Sequence, residues 1–210
     1  MERERINDRE GQQRSDDGTD ARGQTISIPM ALRYTVGFML PVLMLAYWMV
    51  DCLCDPSLPA TMAERQCSLC GVAEKQAADV RVFILKDNSP RKPNRWLALP
   101  KAHGAAAHHL HEMSPAARLE LWTLAISKAK EMFGEQWGVA YNGEKVRTQC
   151  HTHIHLGRFI TVAEQSKGYI VVDSPAQIPA PPGEGIWIHP VGRRLHVHTG
   201  EQTAEHVLVR

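Results

Sequence analysis

Apolar side chains recur at three- and four-residue spacing through Leu119, Trp122, Ile126, Ala129 and Phe133, the pattern of a helix that buries one stripe. Ser114-Pro115 offers this helix a capping hydroxyl and a ring suited to its first position, and Gly134 offers a stop. Elsewhere the period shortens to that of strands. Residues 80–85 and 95–99 read as two strands joined by a turn with Pro90 and Pro93, and a further strand is expected over 138–142. Another carries residues 149–160, and Tyr169–Val172 follows it. A terminal hairpin is expected from 186–189 and 195–198, with a last strand near 206–209 and a short helix over 71–78. Locally joined strands imply an antiparallel sheet, so the expected class is α+β: one such sheet packed by one long helix and one short.

The same pattern divides the chain. Residues 1–33 are an expected disordered tail, the first 25 almost without apolar side chains. Residues 34–50 carry no charge, long enough to cross a bilayer as a transmembrane or signal-anchor helix; the competing reading is a buried helix, and Pro41 interrupts either. No small-x-small cleavage site follows, so an uncleaved anchor is expected. Arg22 and Arg33 before it place the tail in the cytoplasm and the rest on the extracytoplasmic side. A linker over 51–63, a folded domain over 64–172, and a proline-rich loop with terminal hairpin over 173–210 complete the division.

Net charge is +1, with no stripe of lysine and arginine, so nucleic acid is not an expected partner. Five cysteines are too few for a disulfide-built scaffold and leave a single bridge or a metal site to be weighed.

The chemistry concentrates in Gln149-Cys150-His151-Thr152-His153-Ile154-His155-Leu156. On a strand alternate residues share a face, so His151, His153 and His155 would line one side while Ile154 and Leu156 face a core. Three imidazoles near neutrality offer a nucleophile, a proton carrier and a metal ligand. A second pair, His196 and His198, shares a face of the hairpin but has no third ligand nearby in sequence, which favours a half-exposed face. His108, His109 and His111 read as solvated loop.

The triplet resembles the active-site signature of the histidine triad (HIT) superfamily, with Thr152 and Gly157 standing where that signature is apolar. Its context, Arg147-Thr148-Gln149-x-His-x-His-Ile-His, looks like the CDP-diacylglycerol pyrophosphatase branch. The resemblance implies a HIT-type domain that hydrolyses nucleotide phosphoanhydrides. His153 would attack the α-phosphorus to form a nucleotidyl-histidine, and His155 would hold phosphoryl oxygens or pass a proton. Gln149 and Asn142 are candidate contacts to the same oxygens, as is Arg158 for a phosphate or headgroup, with Arg193 and Arg194 at the hairpin turn alongside. Cys67-x-x-Cys70 and Pro100-Lys101-x-His103 resemble the ligand motifs of zinc-containing members, which would set Cys67, Cys70, His103 and His151 around one structural zinc. A Cys67–Cys70 disulfide and two inert thiols are the alternatives. The partners implied are a nucleotide or nucleotide-lipid substrate, a membrane and a second copy of the chain. Two other functions stay open: a soluble-type phosphoramidate or dinucleotide hydrolase, and a non-enzymatic zinc- or nucleotide-binding module.

Overall fold

The computed structural model describes residues 52–103, 108–165 and 168–210. Among the described residues, three α-helices, α1 (Pro59–Met62), α2 (Ser68–Glu74) and α3 (Pro115–Phe133), accompany seven strands. These are β1 (Val82–Lys86), β2 (Trp96–Pro100), β3 (Trp137–Tyr141), β4 (Ile154–Arg158), β5 (Tyr169–Val172), β6 (Gly185–Val191) and β7 (Arg194–Glu201). They form one antiparallel sheet in the order β1-β2-β4-β3-β6-β7-β5. The α+β class is as expected. The segment 34–50 lies outside the described residues, and among those described no helix is long and apolar enough to cross a membrane.

Helix α3 begins and ends where its local chemistry dictates. The Ser114 hydroxyl accepts from the Ala117 amide at 3.2 Å, Pro115 opens the helix, and Gly134 leaves it at φ 56°. Its buried face is Leu121, Trp122, Ala125, Ile126 and Ala129, packed on Val139, Ile154, Leu156, Ile186 and Ile188 of the sheet. Leu119, placed in the stripe by its spacing, is 40% exposed. It lies one helical step to the side of the face centred on Trp122 and Ala125.

The terminal hairpin is not an appendage. β6 pairs with β3, and β7 pairs with both β6 and β5, so the boundary drawn at residue 172 from proline content cuts through a continuous sheet. Pro190 is accommodated on the β3 side because β3 pairs with β6 only through Ile186 to Ile188, so no β3 partner faces its missing N–H, while on the other side it keeps register with Leu195. The expected strand near 206–209 is instead a 3-10 turn (Ala204–Val207) followed by a single bridge between Leu208 and Phe159.

That C-terminal segment covers the sheet face opposite α3. Ala204, Val207 and Leu208 pack there with Ala140, Phe159 and Trp187. Two glycines make room: a Cβ on Gly138 would meet Leu208 Cδ2 at 2.7 Å, and one on Gly157 would meet Arg95 Cδ at 3.0 Å and Leu208 Cβ at 3.2 Å. Gly157, the departure from an apolar position in the histidine signature, is thus a packing requirement of this chain. Arg95, 1% exposed, clamps the segment by donating from Nε to the Val209 carbonyl at 2.6 Å and from Nη2 to the Glu205 carbonyl at 2.9 Å and to that of Leu208.

Two disulfides tie the start of the described chain to the domain, Cys52–Cys150 and Cys54–Cys67. Residues 52–54, assigned to a linker by composition, are therefore fastened to it.

Candidate active site and metal centre

Strand β4 starts at Ile154, so His151 and His153 precede the ladder and only His155 lies on the strand. The reason is local. His153 Nδ1–H donates to the carbonyl of His151 at 2.8 Å, a turn-back of the side chain onto its own backbone that a regular strand does not make. Alternation still puts Ile154 and Leu156 in the α3 core.

That bond fixes the His153 tautomer, because a carbonyl can only accept. With Nδ1 protonated, Nε2 carries the lone pair. Burial pushes the imidazole pKa down to about 4 against a smaller opposing pull from the His151 carbonyl, with Arg147 pushing further down. The ring is therefore neutral and nucleophilic at neutral pH. His155 sits edge-on to it with ring centroids 4.9 Å apart. Burial, then the neighbouring His153, Lys92 and Arg95, holds His155 well below the ordinary range. A neutral His155 offers one N–H to a phosphoryl oxygen rather than a resident proton.

Behind His155 stands a carboxylate. Glu205 Oε2 lies 3.5 Å from His155 Nδ1, and Lys92 and Arg95 flank it at 2.5 Å and 3.6 Å. Burial would raise this carboxyl, but the hydrogen bond and charge of Lys92 with the charge of Arg95 outweigh it and hold it below the usual range. Asn142, expected at the substrate phosphate, instead accepts the Glu205 amide at 3.0 Å and anchors the C-terminal segment. Arg147, 7% exposed, donates from Nη1 to the His108 carbonyl at 2.7 Å and to the Tyr141 hydroxyl at 2.9 Å, while its buried Nε has no hydrogen-bond partner among the described residues.

The other two expected substrate contacts are not gathered here. Gln149 accepts from Ser68 Oγ at 2.8 Å and donates to the Arg65 carbonyl at 3.1 Å, so both ends of its amide hold the α2 region. Arg158, exposed at the end of β4, falls by alternation with Ile154 and Leu156 on the face opposite His155.

The expected four-ligand metal set is corrected at Cys67, whose sulfur is bonded to Cys54. Cys70 is a free buried thiol, and burial pushes its pKa up to about 11. Its sulfur lies within 4.8 Å of donor nitrogens of His103 and His151, which likewise lie within that distance of each other. His151 Nε2–H donates to the Pro100 carbonyl at 2.7 Å, which leaves Nδ1 as the lone-pair nitrogen, buried without a hydrogen-bond partner among the described residues, as is His103 Nε2. Glu74 lies 3.7 Å from the other nitrogen of His103, a common outer partner of a ligating histidine. One thiol and two imidazoles with aimed lone pairs can hold a metal ion of the zinc class, with three protein ligands rather than four. Sequence reasoning missed Arg95 and Glu205, whose partners lie far away along the chain, and Arg147, which reaches back to Tyr141 and His108; only the isolated burial-prone arginine in an apolar strand stretch hinted at Arg95.

Comparison with known proteins adds little. No family model matches the chain, nor does any curated protein sequence. Among solved structures, a DUF4931 family protein from Bacillus cereus is similar with a TM-score of 0.44 and 8% identity, over 64% of this chain and 85% of its own.

Proposed function

We propose that this protein is a HIT-like hydrolase of nucleotide phosphoanhydrides working through a covalent nucleotidyl-His153. The observation that carries the proposal is the 2.8 Å bond from His153 Nδ1–H to the His151 carbonyl, which leaves Nε2 as an unprotonated nucleophile beside a second imidazole. The Nε2 lone pair attacks the α-phosphorus, and the bond to the bridging oxygen breaks, that oxygen leaving with its electrons as the phosphate product. Water then attacks phosphorus, the P–N bond breaks, and the pair returns to Nε2 as the proton passes to solvent. The His155 N–H stabilises the charge growing on the phosphoryl oxygens, with Glu205 orienting its ring. Arg147, whose charge reaches His153, supplies the cationic neighbour that a phosphate requires. A zinc on Cys70, His103 and His151 would lock the backbone that leads into the nucleophile, a structural contribution.

Within this class the substrate we favour is a lipid-linked nucleotide such as CDP-diacylglycerol, cleaved to CMP and phosphatidate, on a domain anchored by residues 34–50 and facing an extracytoplasmic compartment. Two disulfides support such a compartment, since the cytosol keeps thiols reduced. The test is incubation of the full-length protein in mixed micelles with CDP-diacylglycerol labelled at the cytidylyl phosphate. Expected results are CMP release and a labelled adduct on His153. AMP release from an adenosine phosphoramidate without CMP release would move the substrate to the small soluble class. No adduct and no product from either would overturn the enzymatic reading in favour of a binding module.

A further inference from the structure

The hairpin histidines, set aside in the sequence for want of a third partner, acquire one through strand register. His189 on β6 pairs directly with His196 on β7, and His198 follows two residues on, on the same face. Ring centroids are 5.2 Å apart for His189 and His196, 5.5 Å for His189 and His198, and 6.4 Å for His196 and His198. One donor nitrogen from each lies within 4.8 Å of the other two. Ligands at 2.0–2.1 Å around a tetrahedral zinc stand roughly 3.3 Å apart, within reach of small ring rotations.

The rings are also held in place. His189 stacks on Phe159 at 4.3 Å, His196 on Tyr169 at 4.4 Å and His198 on Trp187 at 3.4 Å between centroids. An aromatic face against each imidazole limits its rotation, and a metal site gains affinity from ligands whose rotamers are fixed by packing. The donors gathered here among the described residues are three imidazoles, a set that suits zinc, copper or nickel and disfavours magnesium or calcium.

We propose that His189, His196 and His198 form a zinc-class metal site, distinct from the centre at Cys70. Cross-strand pairing runs from His155 through Ala140 and Trp187 to His198. Three strand spacings of about 4.8 Å separate the two ends by roughly 14 Å. At that distance the hairpin site cannot share an ion or a ligand with the nucleophile, and the proposal stands whether or not the protein is a hydrolase.

Cobalt(II) titration of the chelator-stripped full-length protein tests this, because thiolate ligation adds a near-ultraviolet charge-transfer band that an all-imidazole site lacks. The wild type should take up two equivalents. The Cys70→Ser/His103→Ala variant should retain one, with visible ligand-field bands but no thiolate band, and adding His196→Gln or His189→Gln should abolish it while near-ultraviolet circular dichroism stays native. Absence of cobalt from the Cys70→Ser/His103→Ala variant, or its full retention after His196→Gln, overturns the proposal. A substitution-free check is imidazole NMR of the native protein: zinc should shift the ring resonances of His189, His196 and His198, and unshifted resonances count against the site.

Discussion

The two disulfides close loops of very different size, with sequence separations of 98 for Cys52–Cys150 and 13 for Cys54–Cys67. If a bridge stabilises chiefly by restricting the unfolded chain, the long loop is worth about 4.7 kcal/mol and the short one about 3 kcal/mol. The difference follows from 1.5RT ln(98/13), about 1.8 kcal/mol. Packing works against the expected order only slightly: Cys150 and Cys67 are 0% and 1% exposed, and of their partners Cys54 is buried and Cys52 half-buried, so any extra void falls on the short-loop pair. The assay is urea unfolding of Cys52→Ala/Cys150→Ala and of Cys54→Ala/Cys67→Ala beside the wild type. The first variant should be the less stable by roughly 1 to 2 kcal/mol, which for a domain of this size corresponds to several degrees in melting temperature. Thiol titration of the denatured, unreduced protein should find Cys70 alone. A short-loop variant less stable than the long-loop one would refute the entropic reasoning, and more than one free thiol would refute the pairing.

What the sequence made legible was local. Helix α3 could be placed because Ser114, Pro115 and Gly134 set its ends without help from the rest of the chain, and strand β5 because Tyr169–Val172 is a bounded β-branched run. Of the four expected metal ligands only Cys67 was misjudged, because a two-residue gap between cysteines serves a zinc site and a redox pair equally well. The choice was made by Cys54, in a stretch that composition marks as linker. The structural roles of Asn142 and Arg95 were missed for a related reason: each bonds the C-terminal segment, 63 and about 110 residues away. His189 is different, since a signal was present. A two-residue turn at Gly192-Arg193, with Gly192 at φ 60° and Val191 opposite Arg194, sets a register in which His189 must face His196.

Three further outcomes are expected. His153→Ala should lower turnover by about 10⁴- to 10⁶-fold with an unchanged circular dichroism spectrum, and His155→Ala by about 10²- to 10⁴-fold; near wild-type turnover in His153→Ala would remove the nucleophile. In chelator-treated protein, stability should fall as pH drops from about 6.5 towards 4, because the unfolded chain takes up protons on His153 and His155 that the buried neutral rings refuse, His153 down to about 4 and His155 well below the ordinary imidazole range. Unfolding free energy that is flat across that window would count against their burial. The last expectation concerns Arg95→Met, which removes the donors to the carbonyls of Glu205, Leu208 and Val209. If the C-terminal segment stays docked, up to three carbonyls lose a charged donor at about 1–3 kcal/mol each where they remain buried. If it lifts away, the burial of Val207 and Leu208 is lost at about 1.5–3 kcal/mol per side chain. Both routes cost about 3 kcal/mol or more, so they compete closely, and the variant should populate the lifted form far more than the wild type does. Lifting carries Glu205 away from His155, so turnover should fall together with hydrogen-exchange protection of Leu208 and Val209, whose amides bond the carbonyls of Glu205 and Arg158. If those amides stay protected and stability changes by less than about 0.5 kcal/mol, the guanidinium is not what holds the segment against the sheet.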